Sequence, residues 1–268
     1  MDPSFALLLD RLTAIADQEL FHRFEGCESS RKADGSVVTE ADLVMQQRVR
    51  DTLREAFPQY GFVGEEMSPA EQQARLRAPD GGLWVLDPLD GTSNFSAGLP
   101  FFSVSLALIC GGSTRFGMVY DPVRKECFHA ESGKGAWLNH RPLAPRRATP
   151  RLRGCLALVD FKRLPRELAM RLASQPPFGS QRNLGSVALE LCWLAAGRAH
   201  VYLHGGQKLW DHAAGLLILR EAGGHAVTLE GELAPALTLE PRSTAAALDR
   251  SLFLEWTRSL GIPLAETS

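Results

Sequence analysis

The run WVLDPLDGTSNF, residues 84–95, drives three apolar side chains straight into Asp87, places a second acid at Asp90 and follows it at once with Gly91 and Thr92. Two carboxylates three apart at the end of a buried strand repel each other. Burying either is costly unless it shares a proton, pairs with a base or binds a cation. The chain supplies no Lys or Arg between 82 and 114, so any positive partner must come from elsewhere. A chain with this segment has to fold so that positive charge reaches the end of one strand.

Two further places put acids where an element ends: Glu65-Glu66 after GFVG, and Asp211 at the start of the apolar run WDHAAGLLIL. Each has a plain structural use. Glu65-Glu66 can be a solvated strand end, Asp211 a first-turn helix acid, and Asp87-Pro88 a turn. Taken together, they favour hard divalent cations: Mg²⁺ accepts carboxylate oxygens and keeps positions open for water and phosphate. Zinc fits less well, because the seven histidines show no HExxH or similar ligand spacing. Gly91-Thr92 followed by Ser93 and Asn94 can open a helix, and a helix start beside metal-binding acids suits a phosphate.

Net charge is −2 and the sequence pI about 6.4, which excludes a global field for a nucleic acid polymer or an anionic membrane and leaves a small molecule as the expected partner. The cysteines at 27, 110, 127, 155 and 192 are odd in number and form no CxxC, which fits a reducing, cytoplasmic setting. The apolar run Phe5–Leu9 is broken by Asp10 and Arg11, too short for a signal or a membrane span.

Spacing predicts a helix within 3–24, a helix starting at Thr39-x-x-Asp42 and running to about Phe57, a strand at GFVG, a helical stretch at 69–78 and a strand over 83–86. FFSVSLALIC, RFGMVYDP and ECFHA read as an antiparallel meander. RPLAPRRATPRLR, 141–153, with three prolines and five arginines, reads as a solvated connection. Beyond it, CLALVD, a helix near 164–174, VALELCWLAAG, HVYLH, WDHAAGLLILREAGG and HAVTL alternate in type. The expected fold is α/β, with an α+β first half over 1–140 that carries most of the acids and an α/β second half over 141–268 that adds Asp211.

The segments GEE (Glu65, Glu66), WVLDPLDGTSNF (Asp87, Asp90, Gly91, Thr92) and WDHAAGLLILREAGG (Asp211) resemble the two signatures of the inositol monophosphatase family. Lys32, Thr39 and Asp42 in KADGSVVTEAD match intermediate pieces, as do Arg182, Gly185 and Ser186 in RNLGSVALELCWLAAG. The resemblance spans roughly residues 30 to 230. It implies a layered αβαβα sandwich, usually a homodimer, and lithium-sensitive hydrolysis of small phosphate monoesters with two or three Mg²⁺ ions. Carried over, Glu65, Asp87, Asp90 and Asp211 are metal ligands together with the Leu89 carbonyl, and Glu66 is a more peripheral metal contact. Thr92 and Glu65, beside Asp87, orient and deprotonate the attacking water. Asp90, Gly91, Thr92, Gly185, Ser186, His204 and Asp211 face the substrate. Asp42 and Lys32 stand near the cluster.

The chain departs from the family where a Glu contacts sugar hydroxyls seven residues before the WD aspartate; here His204 stands there. An imidazole offers one donor and one acceptor where a carboxylate would accept twice, which argues against myo-inositol phosphate. The ten-residue spacing from Lys32 to Asp42 resembles 3′(2′),5′-bisphosphate nucleotidases and histidinol-phosphate phosphatases. A nucleotide bisphosphate would need a basic patch, for which Arg146, Arg147 and Arg182 are candidates. A non-enzymatic binding or regulatory member would be expected to have lost at least one ligand position, and here all are filled.

Overall fold

The computed structural model describes residues 2–24, 29–31, 37–77, 81–143, 151–233 and 237–264. Helix α1 (Pro3–Glu19) opens on an Asp2 cap that accepts from the Ser4 amide and buries Leu8, Leu9, Leu12, Ile15 and Ala16. It stops short of the expected end near 24. Phe21–Arg23 winds into a tighter 3-10 turn, which carries Phe24 onto Phe95 and Phe102 at ring distances of 5.7 and 4.9 Å. A short pair, β1 (Ser29–Arg31) and β2 (Val37–Thr39), leads into α2 (Glu40–Ala56). The Thr39 start holds, as a capping box in which Asp42 and Thr39 satisfy each other's free amides.

A seven-stranded sheet follows in the order β3 (Gly61–Gly64), β4 (Leu83–Asp90), β5 (Ser103–Cys110), β6 (Ser113–Asp121), β7 (Glu126–Glu131), β8 (Ala136–Leu138), β9 (Arg141–Pro142). Helix α3 (Pro69–Arg77) makes the crossover between the parallel pair β3 and β4, and the five-residue helix α4 (Thr92–Ser96) lies between β4 and β5. From β4 onward every pairing is antiparallel, as the meander reading expects. Strand β4 runs four residues further than expected, through both acids, because β5 pairs Ser105 with Asp87 and Ser103 with Asp90 around an irregularity at Pro88-Leu89.

The second sheet has the order β11 (Ser180–Arg182), β10 (Leu156–Asp160), β12 (Val201–Gln207), β14 (Arg242–Ala247), β13 (His225–Val227). The first three are parallel, with α5 (Arg166–Ser174) after β10 and α6 (Val187–Ala195) between β11 and β12; β14 runs antiparallel to β12 and to β13. Strands β11 and β14 and the last helix, α8 (Arg250–Leu260), carry no expectation from the sequence reading.

Helices α6 and α7 (Leu209–Glu221) lie between the two sheets, where their residues join Val85, Ala107 and Val119 on one side and Leu158, Tyr202 and Ala246 on the other in one core cluster. Helices α1 and α2 cover the outer face of the first sheet, and α5 and α8 that of the second. The result is five layers, αβαβα. Close approach at the centre needs a side chain missing from β6: a Cβ on Gly117 would stand 3.0 Å from the Ala214 carbonyl oxygen of α7. Helix α7, buried almost all round, reads as a continuous apolar run for the same reason.

Candidate active site

Four acids, Glu65, Asp87, Asp90 and Asp211, lie within electrostatic reach of one another. The parallel register pairs Gly64 with Leu86, and the Glu65 amide donates to the Leu86 carbonyl at 3.1 Å, so the end of β3 delivers Glu65 alongside Asp87. The second half arrives through two serines of β5. Ser105, opposite Asp87, donates its hydroxyl to the Trp210 carbonyl at 3.0 Å, which pins the start of α7 and with it Asp211. Ser103, opposite Asp90, stands 3.2 Å from the Ser186 hydroxyl. Neither serine carries a functional expectation from the sequence, although the alternation in FFSVSLALIC is the signal that could have found them.

Electrostatics tie these acids together. Burial, then repulsion from Glu65, Asp90 and Asp211, drives the Asp87 carboxyl well above its ordinary value. Burial, then Asp90 and Glu65, drive the Asp211 carboxyl well up, although part of the residue's surface meets solvent. Burial raises Asp90 to about 6, even though three hydrogen bonds oppose the rise. Among the described residues no three or more His, Cys, Asp or Glu side chains are arranged so that together they could hold a metal ion. The acids are electrostatic neighbours, and the donor set is made of hard oxygens. That chemistry fits Mg²⁺, which demands oxygen ligands and fills out its octahedron with water.

Each acid has a structural duty as well. Asp87 Oδ1 accepts from the Leu89 amide at 3.0 Å, so the turn reading of Asp87-Pro88 is also realised. Asp90 caps α6 across the two halves: Oδ2 accepts from the Ser186 hydroxyl at 2.6 Å and the Ala188 amide at 2.7 Å, and Oδ1 from the Val187 amide at 3.2 Å. Asp211 Oδ2 accepts from the Lys208 amide at 2.8 Å as the third residue of α7, the first-turn use expected of such an acid. The Glu66 amide donates to Gln46 Oε1 at 3.0 Å.

Gly91 is the start of α4 at φ +97°, where a Cβ would meet the Phe101 and Gly185 carbonyl oxygens at 3.1 and 3.3 Å, so only glycine fits. Thr92 follows, with its hydroxyl between two acceptors, the Leu89 carbonyl at 2.9 Å and Asp42 Oδ1 at 3.1 Å. Asp42 is raised by burial against the hydrogen bonds it receives.

Two expected substrate contacts are turned inward. Ser186 is fully buried and donates its hydroxyl to Asp90. His204 is buried too: Nδ1 accepts from the Gly206 amide at 3.1 Å, and Nε2 lies 3.3 Å from Asp160 Oδ2 on the neighbouring strand. Both ring nitrogens are engaged by the protein. Burial would raise Asp160, but the His204 ring and the Lys162 amide outweigh it and hold that carboxyl below its ordinary value. Gly185 is exposed. Arg182 is exposed and curls back on Ser180 Oγ and the Gln181 carbonyl at 2.9 and 2.7 Å. Lys32, Arg146 and Arg147 lie outside the described residues.

Comparison with known proteins agrees with this fold. The chain is 37% identical over 210 residues to the Nus factor SuhB of Pasteurella multocida, covering 76% of each chain. It is 33% identical over 228 residues to the inositol-1-monophosphatase of Bacillus subtilis, covering 82% of this chain and 83% of that one. The solved IMPase of Thermotoga maritima superposes with a TM-score of 0.81 at 27% identity, over 97% of this chain and 98% of that one. The family profile described as "Inositol monophosphatase family" matches residues 5–259, and with the five-layer fold and the acids at its seam this chain belongs to the inositol monophosphatase family.

Proposed function

We propose that the chain is a Mg²⁺-dependent phosphatase that hydrolyses a small phosphate monoester of the inositol or sugar phosphate class with water as the nucleophile. The observation that supports this most is that Asp87, Asp90 and Asp211 stand within electrostatic reach of Glu65 with their carboxyls raised, first by burial and then by neighbouring carboxylates: the fold keeps acids together at a cost that a divalent cation would offset. Glu65, Asp87, Asp90, Asp211 and the Leu89 carbonyl would hold the metal, with Glu66 at its edge. When bound, Mg²⁺ supplies Lewis acidity toward water and phosphoryl oxygen.

The remaining work belongs to the chain. Thr92 Oγ1 has one proton and two acceptors in Leu89 O and Asp42 Oδ1, so its lone pairs are left to orient a water molecule. Glu65, on the adjoining strand end, takes a proton from the water as it attacks phosphorus, the P–O ester bond breaks, and the leaving alkoxide is protonated by solvent to give the alcohol. The amides of the Gly91-Thr92 turn would receive the phosphate, and the exposed Gly185 corner would bound the alcohol side. The same reading carries lithium sensitivity, a homodimer and a cytoplasmic setting; no helix among the described residues is long and apolar enough to cross a membrane.

A phosphate-release panel with Mg²⁺ tests the proposal, over inositol phosphates, sugar bisphosphates, histidinol phosphate and 3′-phosphoadenosine 5′-phosphate. Release from at least one ester, abolished by chelation and inhibited by millimolar lithium, is expected. Fastest turnover of 3′-phosphoadenosine 5′-phosphate or histidinol phosphate would select the nucleotidase or histidinol-phosphate reading. Relatives that carry the name Nus factor SuhB keep a non-catalytic binding role as the competing reading, and silence across the whole panel would favour it.

A further inference from the structure

Helix α6 is apolar along its buried length, with Ala188, Leu189, Leu191, Cys192, Leu194 and Ala195 all in the core, except for Glu190, which is 3% exposed. A carboxylate in such a place is expensive unless hydrogen bonds hold it. Packing alone would select an apolar side chain. Glu190 Oε1 accepts from two consecutive amides outside its helix, Leu184 and Gly185, the second at 3.3 Å. The other face of the same peptide segment is held from the first half of the chain. Asn94 Nδ2, in α4, donates to the Leu184 carbonyl at 2.7 Å and to the Phe101 carbonyl at 2.7 Å.

The corner between these two side chains has no slack. Gly185 stands at φ +82°, and a Cβ there would meet Asn94 Nδ2 at 3.0 Å. The next residue, Ser186, is bonded to Asp90, and the Gly185 carbonyl packs against Gly91. Leu184–Ser186 is therefore gripped by Glu190 from the second half and by Asn94 and Asp90 from the first, with only Gly185 left exposed.

We infer that Asn94 and Glu190 are positioning residues that fix the Leu184–Ser186 corner, as one wall of the ester site, at a set distance from the Gly91-Thr92 turn; this rests on the phosphatase reading. Neither side chain reaches the reacting atoms. Their effect is on where the substrate's alcohol portion is bounded relative to its phosphate, and small misplacements of such walls are felt in binding and turnover.

Michaelis constants of Glu190→Leu, Glu190→Gln and Asn94→Ala for the best ester in the panel test this, together with hydrogen exchange at the Leu184 and Gly185 amides. Glu190→Leu removes the acceptor and is expected to raise KM about tenfold, with kcat changed less than about threefold, and to speed exchange at both amides. Glu190→Gln keeps an acceptor oxygen and is expected to restore a near-native KM and slow exchange. Asn94→Ala is expected to move KM in the same direction, which keeps the test alive if Glu190→Leu does not fold. A folded Glu190→Leu with native KM, or a Glu190→Gln as impaired as Glu190→Leu, overturns the inference. A wild type that hydrolyses no ester sinks the phosphatase reading, whereas unchanged amide exchange in Glu190→Leu sinks the clamp whatever the activity.

Discussion

Asp87 and Asp90 stand three residues apart and carry different loads. Asp87 receives one backbone hydrogen bond and the repulsion of three neighbours, so its charge opposes folding in the absence of a cation. Asp87→Asn is expected to abolish Mg²⁺-dependent phosphate release while leaving the melting temperature in chelator unchanged or higher, read by calorimetry beside the assay. Thr92→Ala removes the hydroxyl that orients water and is expected to lower kcat by on the order of 10², with half-saturation by Mg²⁺ nearly unchanged; native kcat would remove Thr92 from the mechanism. His204 changes the selectivity argument. With Asp160 against its ring, His204→Glu would set two carboxylates against each other, so the variant is expected to lose stability rather than gain turnover of myo-inositol 1-phosphate. Improved inositol specificity in a stable His204→Glu would show that the ring is free to leave Asp160.

At the level of elements, the site is assembled by helix starts. Asp42 completes the capping box of α2 and meets Thr92, Asp211 caps α7, and Asp90 caps α6 from another strand. Acids at helix N-termini are ordinary cap chemistry, which explains why no single acid in the sequence distinguishes cap from ligand. The helix starts are legible one by one, while their meeting depends on Ser103 and Ser105 in β5. Asp90→Ala strands two α6 amides and removes the acceptor of the Ser186 hydroxyl, and is expected to cost about 1–3 kcal/mol in denaturant unfolding even without metal, in contrast to Asp87→Asn. Equal stability of the two variants in chelator would contradict the capping role.

For the whole molecule, the raised carboxyls predict a stability profile opposite to that of a salt-bridged protein. Asp87, Asp90, Asp211 and Glu190 all bind protons more tightly folded than unfolded, with burial the leading cause; Asp90 is raised to about 6 and Glu190 to about 8. Their contribution is fully present below the unfolded carboxylate range near pH 4. It is lost as pH rises to the folded values. In chelator the melting temperature is expected to fall between pH 5 and pH 8, and Mg²⁺ is expected to recover most of the loss at pH 8. A melting temperature that rises across that range in chelator would show that the acids are not stressed. Because α6 and α7 of the second half form the layer between both sheets, the halves over 1–140 and 141–268 are expected to unfold in one transition.

Local sequence determined the caps, the strands and the meander, because hydrophobic period and turn chemistry act over a few residues: Thr39 with Asp42, GFVG, and β5 to β7 all stand close to where spacing puts them. It also determined which acids are candidates, since an apolar strand running into Asp87 and Asp90 is visible without coordinates. Only the tertiary structure decided that Asp90 is shared with Ser186, Val187 and Ala188, that Asp160 occupies His204, and that Glu190 and Asn94 grip one peptide from two sides. Those partners lie 44 to 98 residues apart, with Glu190 and its amides the one local exception. No local pattern encodes such pairings, because they arise when two sheets close on a common pair of helices and buried polar atoms must find partners across the seam.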